Sequence, residues 1–429
     1  MKDRLYLGAA RADITPEIGC HLYGYNDTTF SESIHDRLDA TAYAFSQGGK
    51  KALLVTLTLC EVNTRLYTEL RREISALCGV PFENIILCAT HTHSGPNVVG
   101  NIGWGDLDMD YYEKIMHPQV IKAVKQAFDT MVPVRMGIGT GLSDVGINRR
   151  ELTVNNEIGL GQNPWGPYNP VMTVLSFRDD EDKTVANIVH YGCHGTAAGR
   201  NTEITRDWSG IMCDRLQALT GGLTSFFNGP EGDVGPRLTN GRTTANIKYV
   251  EELGGKAAQD AMAIYNTIRD FHDAELAAGS GDMIVPLSPR ISVEEAKAGL
   301  AKYDGKTVNI DGQRAAYYRR VLKSYEDGYE EIPSKSVPQT IVKVGGAAFV
   351  TFPYELFSEI GMRVSAYSKF PHVLSLSNAN GCEGYFPTQD QLCRGGYEIG
   401  MFQTTGVQTF TDDADFALVT ETLKNMEEI

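Results

Sequence analysis

The feature that most restricts the fold is a strand–helix–strand pattern in residues 51–89. The segment KALLVTLTL at 51–59 is rich in β-forming residues, and NIILCA at 84–89 predicts a second strand. Between them, residues 64–78 place leucine and isoleucine side chains on one helical face, and Gly79 supplies a stop signal. Because a helical crossover usually joins two parallel strands, this unit predicts an α/β fold.

The rest of the chain continues to alternate between strand and helix patterns, without an internal repeat or a linker. Further helices are predicted near 110–128, 209–219, 245–270 and 413–427, and further strands near 134–139, 171–177, 184–190, 223–227, 339–344, 347–352 and 372–377. We therefore expect a single α/β domain over residues 1–429, in which helices flank mixed β-sheets. The charged stretch at about 290–335 predicts a solvated excursion of two helices, since the first opens with a capping box at Ser292.

Composition and charge exclude several classes of partner. The net charge of -15 opposes binding to nucleic-acid phosphates and to anionic lipid headgroups. No apolar run reaches the roughly 18 residues that a membrane span requires, and the N-terminal sequence shows no apolar signal segment. The eight cysteines form no CxxC motif, which is typical of reduced thiols. We expect a cytoplasmic protein that acts on a small molecule, without nucleic acid or stable membrane association.

The first motif that carries chemistry is ATHTHSGP at 89–96, directly after a predicted strand. His91 and His93 are two positions apart, so in extended backbone both side chains point to the same side. At the C-terminal end of a strand they would face the cleft where α/β sheets bind ligands. Imidazole is a preferred zinc ligand, so this motif suggests a metal site.

A second histidine motif, HYGCHGT at 190–196, also follows a predicted strand. Its glycines interrupt helical spacing, so only one of its two histidines is expected to share a site with His91. His190 still belongs to the strand and is interpreted as a core residue. Further on, Asp207 either orients a ligand histidine through a hydrogen bond or simply caps a helix.

Taken together and in order, these and later motifs resemble the neutral/alkaline ceramidase family. THTHSGP is the most specific of them, and the ordered set covers nearly the whole chain. The segments that carry the resemblance are GAARADITP, IHD, THTHSGP, CHGT, DWSG, GDVGP, FPYE and GYFPT.

The resemblance implies a zinc site and a set of residues around it. The implied zinc ligands are His91, His194, Glu355 and Tyr385. The implied residues at the reacting centre are His93, Arg149 and Tyr397, and those that support the site or contact the substrate are Asp207, Asp233 and Gly235.

The sequence departs from the family pattern in three respects. Gly235 stands where the family has a serine, the C-terminal Ig-like domain of the full-length ceramidases is absent, and no secretion signal is visible. The first departure argues against a serine nucleophile at that position. The other two argue against a membrane lipid as the substrate.

These observations predict a zinc-dependent hydrolase that cleaves an amide bond of an N-acyl substrate with a metal-activated water. Zinc lowers the pKa of a bound water to about 7, which provides a nucleophile without serine. His93 would then transfer protons, while Arg149 and Tyr397 would stabilise the oxyanion. Two alternatives stay open: a zinc esterase, lactonase or carbohydrate-directed hydrolase on the same fold, and a non-catalytic ligand-binding relative, which Gly235 favours.

Overall fold

The computed structural model describes residues 3–429 and has a mixed α/β architecture. Its strands are, in chain order, β1 (Tyr6–Asp13), β2 (Ser33–Ile34), β3 (Asp39–Gln47), β4 (Lys50–Leu57), β5 (Ile85–Ala89), β6 (Val132–Pro133), β7 (Arg135–Leu142), β8 (Gly146–Asn148), β9 (Arg150–Leu152), β10 (Ile158–Leu160), β11 (Val171–Arg178), β12 (Thr184–Tyr191), β13 (Glu203–Ile204), β14 (Leu223–Asn228), β15 (Val234–Pro236), β16 (Leu276–Pro286), β17 (Ser334–Val344), β18 (Ala347–Thr351), β19 (Glu355–Leu356), β20 (His372–Leu376) and β21 (Tyr385–Phe386).

The helices alternate with these strands along the chain. They are α1 (Thr64–Cys78), α2 (Met109–Tyr111), α3 (His117–Asp129), α4 (Asp207–Thr220), α5 (Ile247–Tyr265), α6 (Val293–Tyr303), α7 (Asn309–Glu326), α8 (Ser358–Tyr367), α9 (Gln389–Leu392), α10 (Tyr397–Phe402) and α11 (Ala414–Glu427). A 3₁₀ turn at Phe82–Asn84 precedes β5, and a π-helical turn at Tyr112–Met116 joins α2 to α3.

Three larger sheets organise the molecule, and each of them contains one parallel pair. Their strand orders are β5-β4-β3-β1-β6, β14-β12-β11-β7 and β16-β17-β18-β20. The parallel pairs are β4/β5, β12/β14 and β18/β20, whereas the other neighbours within these three sheets run antiparallel. The predicted class, an α/β fold with mixed sheets flanked by helices, is therefore confirmed.

Each sheet buries one face in a core that all three share. Ile86 of β5, Ile188 of β12 and Phe349 of β18 lie in this common cluster and are fully buried. The alternate residues Ile85 and Leu87 belong instead to a separate cluster beneath α1 and α3, as the two-residue period of a strand requires. Helices α4 and α5 cover the second sheet, and α8, α10 and α11 cover the third.

The charged stretch at about 290–335 forms two helices. The two helices expected there are α6 and α7, and the capping box at Ser292 is formed. The stretch is not only solvated, because Asn309 and Ile310 at the start of α7 line a cavity of about 330 Å³. Within residues 3–429, no helix has both the length and the apolar character needed to cross a bilayer.

Candidate metal centre and substrate cavity

The three parallel strand pairs end at one place, and each pair delivers a polar side chain there. His91 follows β5, His194 follows β12 and Glu355 follows β18 by a few residues. The carboxyl ends of parallel strands share an edge of the sheet, where α/β proteins bind ligands. The convergence of three such edges explains how residues so distant in sequence form one buried cluster.

The ligand atoms of these three residues lie close enough to hold one metal ion. His194 Nε2 lies 3.1 Å from Glu355 Oε2, and His91 Nε2 lies 3.4 Å from the same oxygen. One ligand atom from each of the three residues falls within 4.8 Å of the others. All three side chains are buried, so a cation between them would be shielded from bulk water.

The hydrogen bonds of the two imidazoles turn their Nε2 atoms toward Glu355, where both could bind a cation. His91 Nδ1 lies 2.9 Å from the carbonyl oxygen of Cys60, and His194 Nδ1 lies 2.8 Å from that of Glu231. A carbonyl only accepts, so each Nδ1 carries the proton and each Nε2 presents a lone pair. His194 Nε2 and Glu355 Oε2 have no hydrogen-bond partner within the described chain. A cation held between these buried acceptors would satisfy them, and two imidazoles with a carboxylate suit zinc.

Backbone contacts hold the two histidine loops side by side. His93 N donates to Gly195 O at 3.1 Å, and Gly195 N donates to His91 O at 3.2 Å. A Cβ atom at position 195 would lie 2.7 Å from His91 O, so only glycine permits this approach. The glycine that made the CHGT segment irregular in sequence thus brings His194 against His91.

The extended backbone predicted for the first histidine motif is wrong. Strand β5 ends at Ala89, and His91 adopts a left-handed conformation with φ of 68°. Such a conformation is strained for a non-glycine residue and is found preferentially at functional sites. The rings of His91 and His93 nevertheless lie together, with centroids 4.8 Å apart, because the chain turns at His91.

Tyr385 reaches the centre through a short parallel bridge. Glu355 pairs with Tyr385 across β19 and β21, so the two residues lie side by side. Glu355 precedes α8 by three residues and belongs to this bridge. The Tyr385 hydroxyl accepts a hydrogen bond from Arg149 Nη2 at 2.9 Å. Burial raises the pKa of Tyr385 well above its usual range, and the Arg149 cation opposes this shift.

A cavity of about 330 Å³ opens beside the cluster. His93 forms part of its wall, and His93 Nε2 lies 3.1 Å from His91 Nε2. Burial and the imidazoles of His91 and His194 lower the pKa of His93 well below its usual range, so its ring is neutral at pH 7. The other lining residues are Gly24, Tyr25, Trp104, Arg149, Leu160, Thr196, Thr243, Thr244, Asn309, Ile310, Tyr385 and Tyr397.

Arg149 is held rigidly in the wall of this cavity. Its Nε donates to Glu398 Oε1 at 2.8 Å, and Arg150 Nη1 donates to Glu398 Oε2 at 2.6 Å. Glu398 is fully buried between the two guanidinium groups. Tyr397, the residue before it, lines the same cavity with its ring centroid 5.7 Å from that of Tyr385. The cavity therefore presents a fixed cation together with the phenols of Tyr385 and Tyr397.

The remaining predicted residues support the loops of the site without touching an imidazole. Asp207 begins α4 and accepts hydrogen bonds from the backbone N–H groups of Ala197 and Ala198, which lie just after His194. Burial raises the pKa of Asp207 to about 6. Asp233 Oδ1 accepts from Ser358 N at 2.8 Å, at the start of α8.

Gly235 and His190 both lie in strands. Gly235 lies in β15, opposite Ile147 of β8 and next to the cavity residue Thr243. His190 is the buried core residue that its strand position predicted. Its Nε2 lies 2.9 Å from Ser375 O, and burial lowers its pKa to about 4.

Two residues that the sequence did not identify connect the cluster. Glu231 contributes its carbonyl to His194, and its side-chain Oε1 accepts from Asn378 Nδ2 at 2.8 Å. Asn378 also lies 3.1 Å from His91 Nδ1. Asn378 has a left-handed φ of 48°, and asparagine directly after a predicted strand was the only sequence signal for it.

The sequence of this chain is similar to those of proteins named neutral ceramidases. Neutral ceramidase A of Dictyostelium discoideum is 25% identical over 372 residues, which cover 81% of this chain and 50% of that protein. Neutral ceramidase of Mycobacterium tuberculosis is 24% identical over 259 residues, which cover 54% of this chain and 40% of that protein. The chain thus spans half or less of the length of the curated relatives it matches.

The fold matches a solved structure over almost its whole length. The crystal structure of neutral ceramidase from Pseudomonas aeruginosa superposes with a TM-score of 0.74 at 18% identity, covering 98% of this chain and 73% of that one. The family model described as neutral/alkaline non-lysosomal ceramidase, N-terminal, matches residues 5–246, which is more than half of the chain and includes His91, His93 and His194. On this evidence the chain belongs to the neutral/alkaline non-lysosomal ceramidase family.

Proposed function

We propose that this protein is a zinc-dependent hydrolase that cleaves the amide bond of an N-acyl substrate. The observation that carries the proposal is the convergence of His91 Nε2, His194 Nε2 and Glu355 Oε2 beside a cavity. The names of the relatives support the reaction class, since neutral ceramidases recur among them. Tyr385, bridged to Glu355, is proposed as the fourth ligand.

The residues around the cluster match the steps of amide hydrolysis. A bound zinc ion would supply an activated water and polarise the acyl carbonyl. His93 is neutral and borders both the cluster and the cavity, so its imidazole can take a proton from the attacking water. The same proton then passes to the departing nitrogen as the C–N bond breaks, which releases an amine and a carboxylic acid.

Arg149 and Tyr397 are placed to stabilise the charge that develops on the carbonyl oxygen. Arg149 is fixed by Glu398 before the substrate arrives, so little reorganisation is needed during the reaction. The Tyr397 hydroxyl has no hydrogen-bond partner in residues 3–429, and its side chain lines the cavity. It is therefore available to donate to the substrate.

The size of the cavity favours a small substrate. About 330 Å³ lies at the lower end of the roughly 300–1,000 Å³ that small-molecule sites occupy. Aromatic side chains such as Tyr25 and Trp104 line part of the wall, while Thr196, Thr243 and Asn309 contribute hydrogen-bonding groups. We therefore propose that short, polar N-acyl compounds are cleaved faster than long-chain ceramide.

The test is turnover of a panel of amides, esters and lactones, measured with zinc and again after chelation. We expect hydrolysis of short N-acyl amides that disappears with chelator and returns when zinc is added. Faster cleavage of long-chain ceramide than of short polar amides would contradict the proposed substrate class. Esters or lactones as the sole substrates would assign the site to the alternative hydrolase class. No turnover of any member would favour a ligand-binding relative.

A further inference from the structure

Gly235 and Thr243 compete for the same space at the edge of the cavity. A Cβ atom at position 235 would lie 2.7 Å from both Cβ and Cγ2 of Thr243, closer than real Cβ atoms approach. Gly235 lies in extended strand backbone, paired with Ile147, and does not have a positive φ. Glycine is therefore required here by the Thr243 side chain and not by the backbone conformation.

Thr243 is held in this place by the segment that carries His194. Its carbonyl oxygen accepts a hydrogen bond from Thr196 Oγ1 at 3.1 Å, and Ala245 N donates to Ala197 O at 3.2 Å. Both threonines line the cavity. Thr243 is only 5% exposed, so its position is set by packing and not by solvent.

The hydroxyl of Thr243 is the part of the side chain that remains available. Its Cβ and methyl carbon face Gly235. Within residues 3–429 its Oγ1 makes no hydrogen bond, and this oxygen is not fully enclosed by protein atoms. Thr243 lines the cavity, and its hydroxyl is the polar side-chain group that it can offer to a ligand there.

We propose that Thr243 is a substrate-contacting residue that determines specificity, supplying from the neighbouring loop the polar group that position 235 lacks. The inference rests on the proposed hydrolase function of the same cavity. A hydroxyl both donates and accepts, so it suits a neutral hydrogen-bonding group such as an amide or a hydroxyl of the substrate. A site that is built to bond such a group discriminates against analogues that lack it.

The first test separates the hydroxyl from the shape of the side chain. Thr243→Val preserves the contacts with Gly235 but removes the hydroxyl, and we expect about a tenfold loss of kcat/KM for a short N-acyl ethanolamine. Thr243→Ser retains the hydroxyl and should lose less than about threefold. Thr239→Val, in the same loop but outside the cavity, is the matched control. Equal kinetics for Thr243→Val and wild type would overturn the inference, as would equal losses in the valine and serine variants.

A binding measurement distinguishes this inference from the proposed reaction. Calorimetric titration of chelator-treated protein with N-butanoyl ethanolamine should show about tenfold weaker affinity for Thr243→Val than for wild type or Thr239→Val. If this difference persists while the zinc-loaded protein shows no turnover, the hydrolase function fails and the contact stands. Equal affinities, or no binding to the wild type, would overturn the contact itself.

Thermal unfolding tests the packing of position 235 against Thr243. Gly235→Ala should lower Tm because its Cβ overlaps Thr243, and the double variant Gly235→Ala/Thr243→Gly should recover part of that loss. Additive effects of the two substitutions would contradict the steric coupling on which the assignment depends.

Discussion

His194 Nδ1 lies 2.8 Å from the backbone carbonyl oxygen of Glu231, and this hydrogen bond fixes the imidazole with Nε2 turned toward Glu355. The Glu231 side chain accepts from Asn378, which in turn borders His91. Glu231 thus bonds His194 through its main chain, and through its side chain it positions the Asn378 amide that packs against His91. Burial raises the pKa of Glu231 to about 8, consistent with its enclosure beside the cluster.

Removal of the Glu231 side chain should weaken metal binding without removing a ligand. Partners that orient ligand histidines typically contribute about 10- to 100-fold in metal affinity. We expect a loss in that range for Glu231→Ala in competition with a chromophoric zinc chelator. Glu251→Ala, on the surface beside His35, is the control and should retain wild-type affinity. An unchanged affinity in Glu231→Ala would show that the carbonyl alone orients the site.

Removal of a proposed ligand should abolish both zinc content and activity. We expect about one zinc per wild-type chain by elemental analysis, and less than a tenth of that in His91→Asn or Glu355→Ala. Asparagine is chosen at position 91 because it tolerates the left-handed backbone. His35→Ala, remote from the cluster, should keep its zinc. Full metal content with wild-type turnover in either ligand variant would refute the assignment.

The Glu398 carboxylate should be essential for stability as well as for the position of Arg149. It is fully buried and pairs with Arg149 and Arg150, so Glu398→Ala leaves two cations without their counterion. Loss of one partner from a buried ion pair typically costs about 3–5 kcal/mol of unfolding free energy. Urea unfolding should show a loss of that size. The exposed carboxylate of Glu275, paired with Lys343, is the control, and Glu275→Ala should cost less than about 1 kcal/mol.

Neither Ser94 of the THTHSGP segment nor Ser209 of the DWSG segment should form an acyl-enzyme. Ser94 Oγ accepts a hydrogen bond from Asn201 Nδ2 at 2.9 Å, and Ser209 Oγ donates to the Arg206 carbonyl at 3.2 Å. Neither hydroxyl is bonded to a histidine or a carboxylate that could activate it. Ser94→Ala and Ser209→Ala should therefore keep more than about a third of wild-type kcat.

The same prediction is tested directly by rapid quenching during turnover, followed by intact-mass measurement. Only unmodified protein is expected. A mass increase equal to the acyl group would establish a covalent intermediate and reject water as the nucleophile.

Local sequence signals were sufficient to predict the elements that begin and end with strong caps. Helix α1 spans Thr64–Cys78 as predicted, since Asn63 caps its first turn and Gly79 ends it with φ of 62°. The β4–α1–β5 crossover is parallel, as its spacing required. Strand β1, YLGAARAD, was missed because alanine and glycine have low β-propensity. It forms because it pairs with β3 and because Gly8 allows α3 to approach closely.

The sequence by itself determined the residue types of the site and their positions at strand ends, because strand periodicity and glycine-rich loops are local patterns. Only the tertiary structure decided which donor atoms meet. The left-handed turn at His91 and the close approach of Gly195 to the His91 carbonyl both occur where segments far apart in the sequence meet. Three sheets share one core, and their packing brings the ends of their parallel pairs together. The spacing of residues along the chain carries no information about that packing.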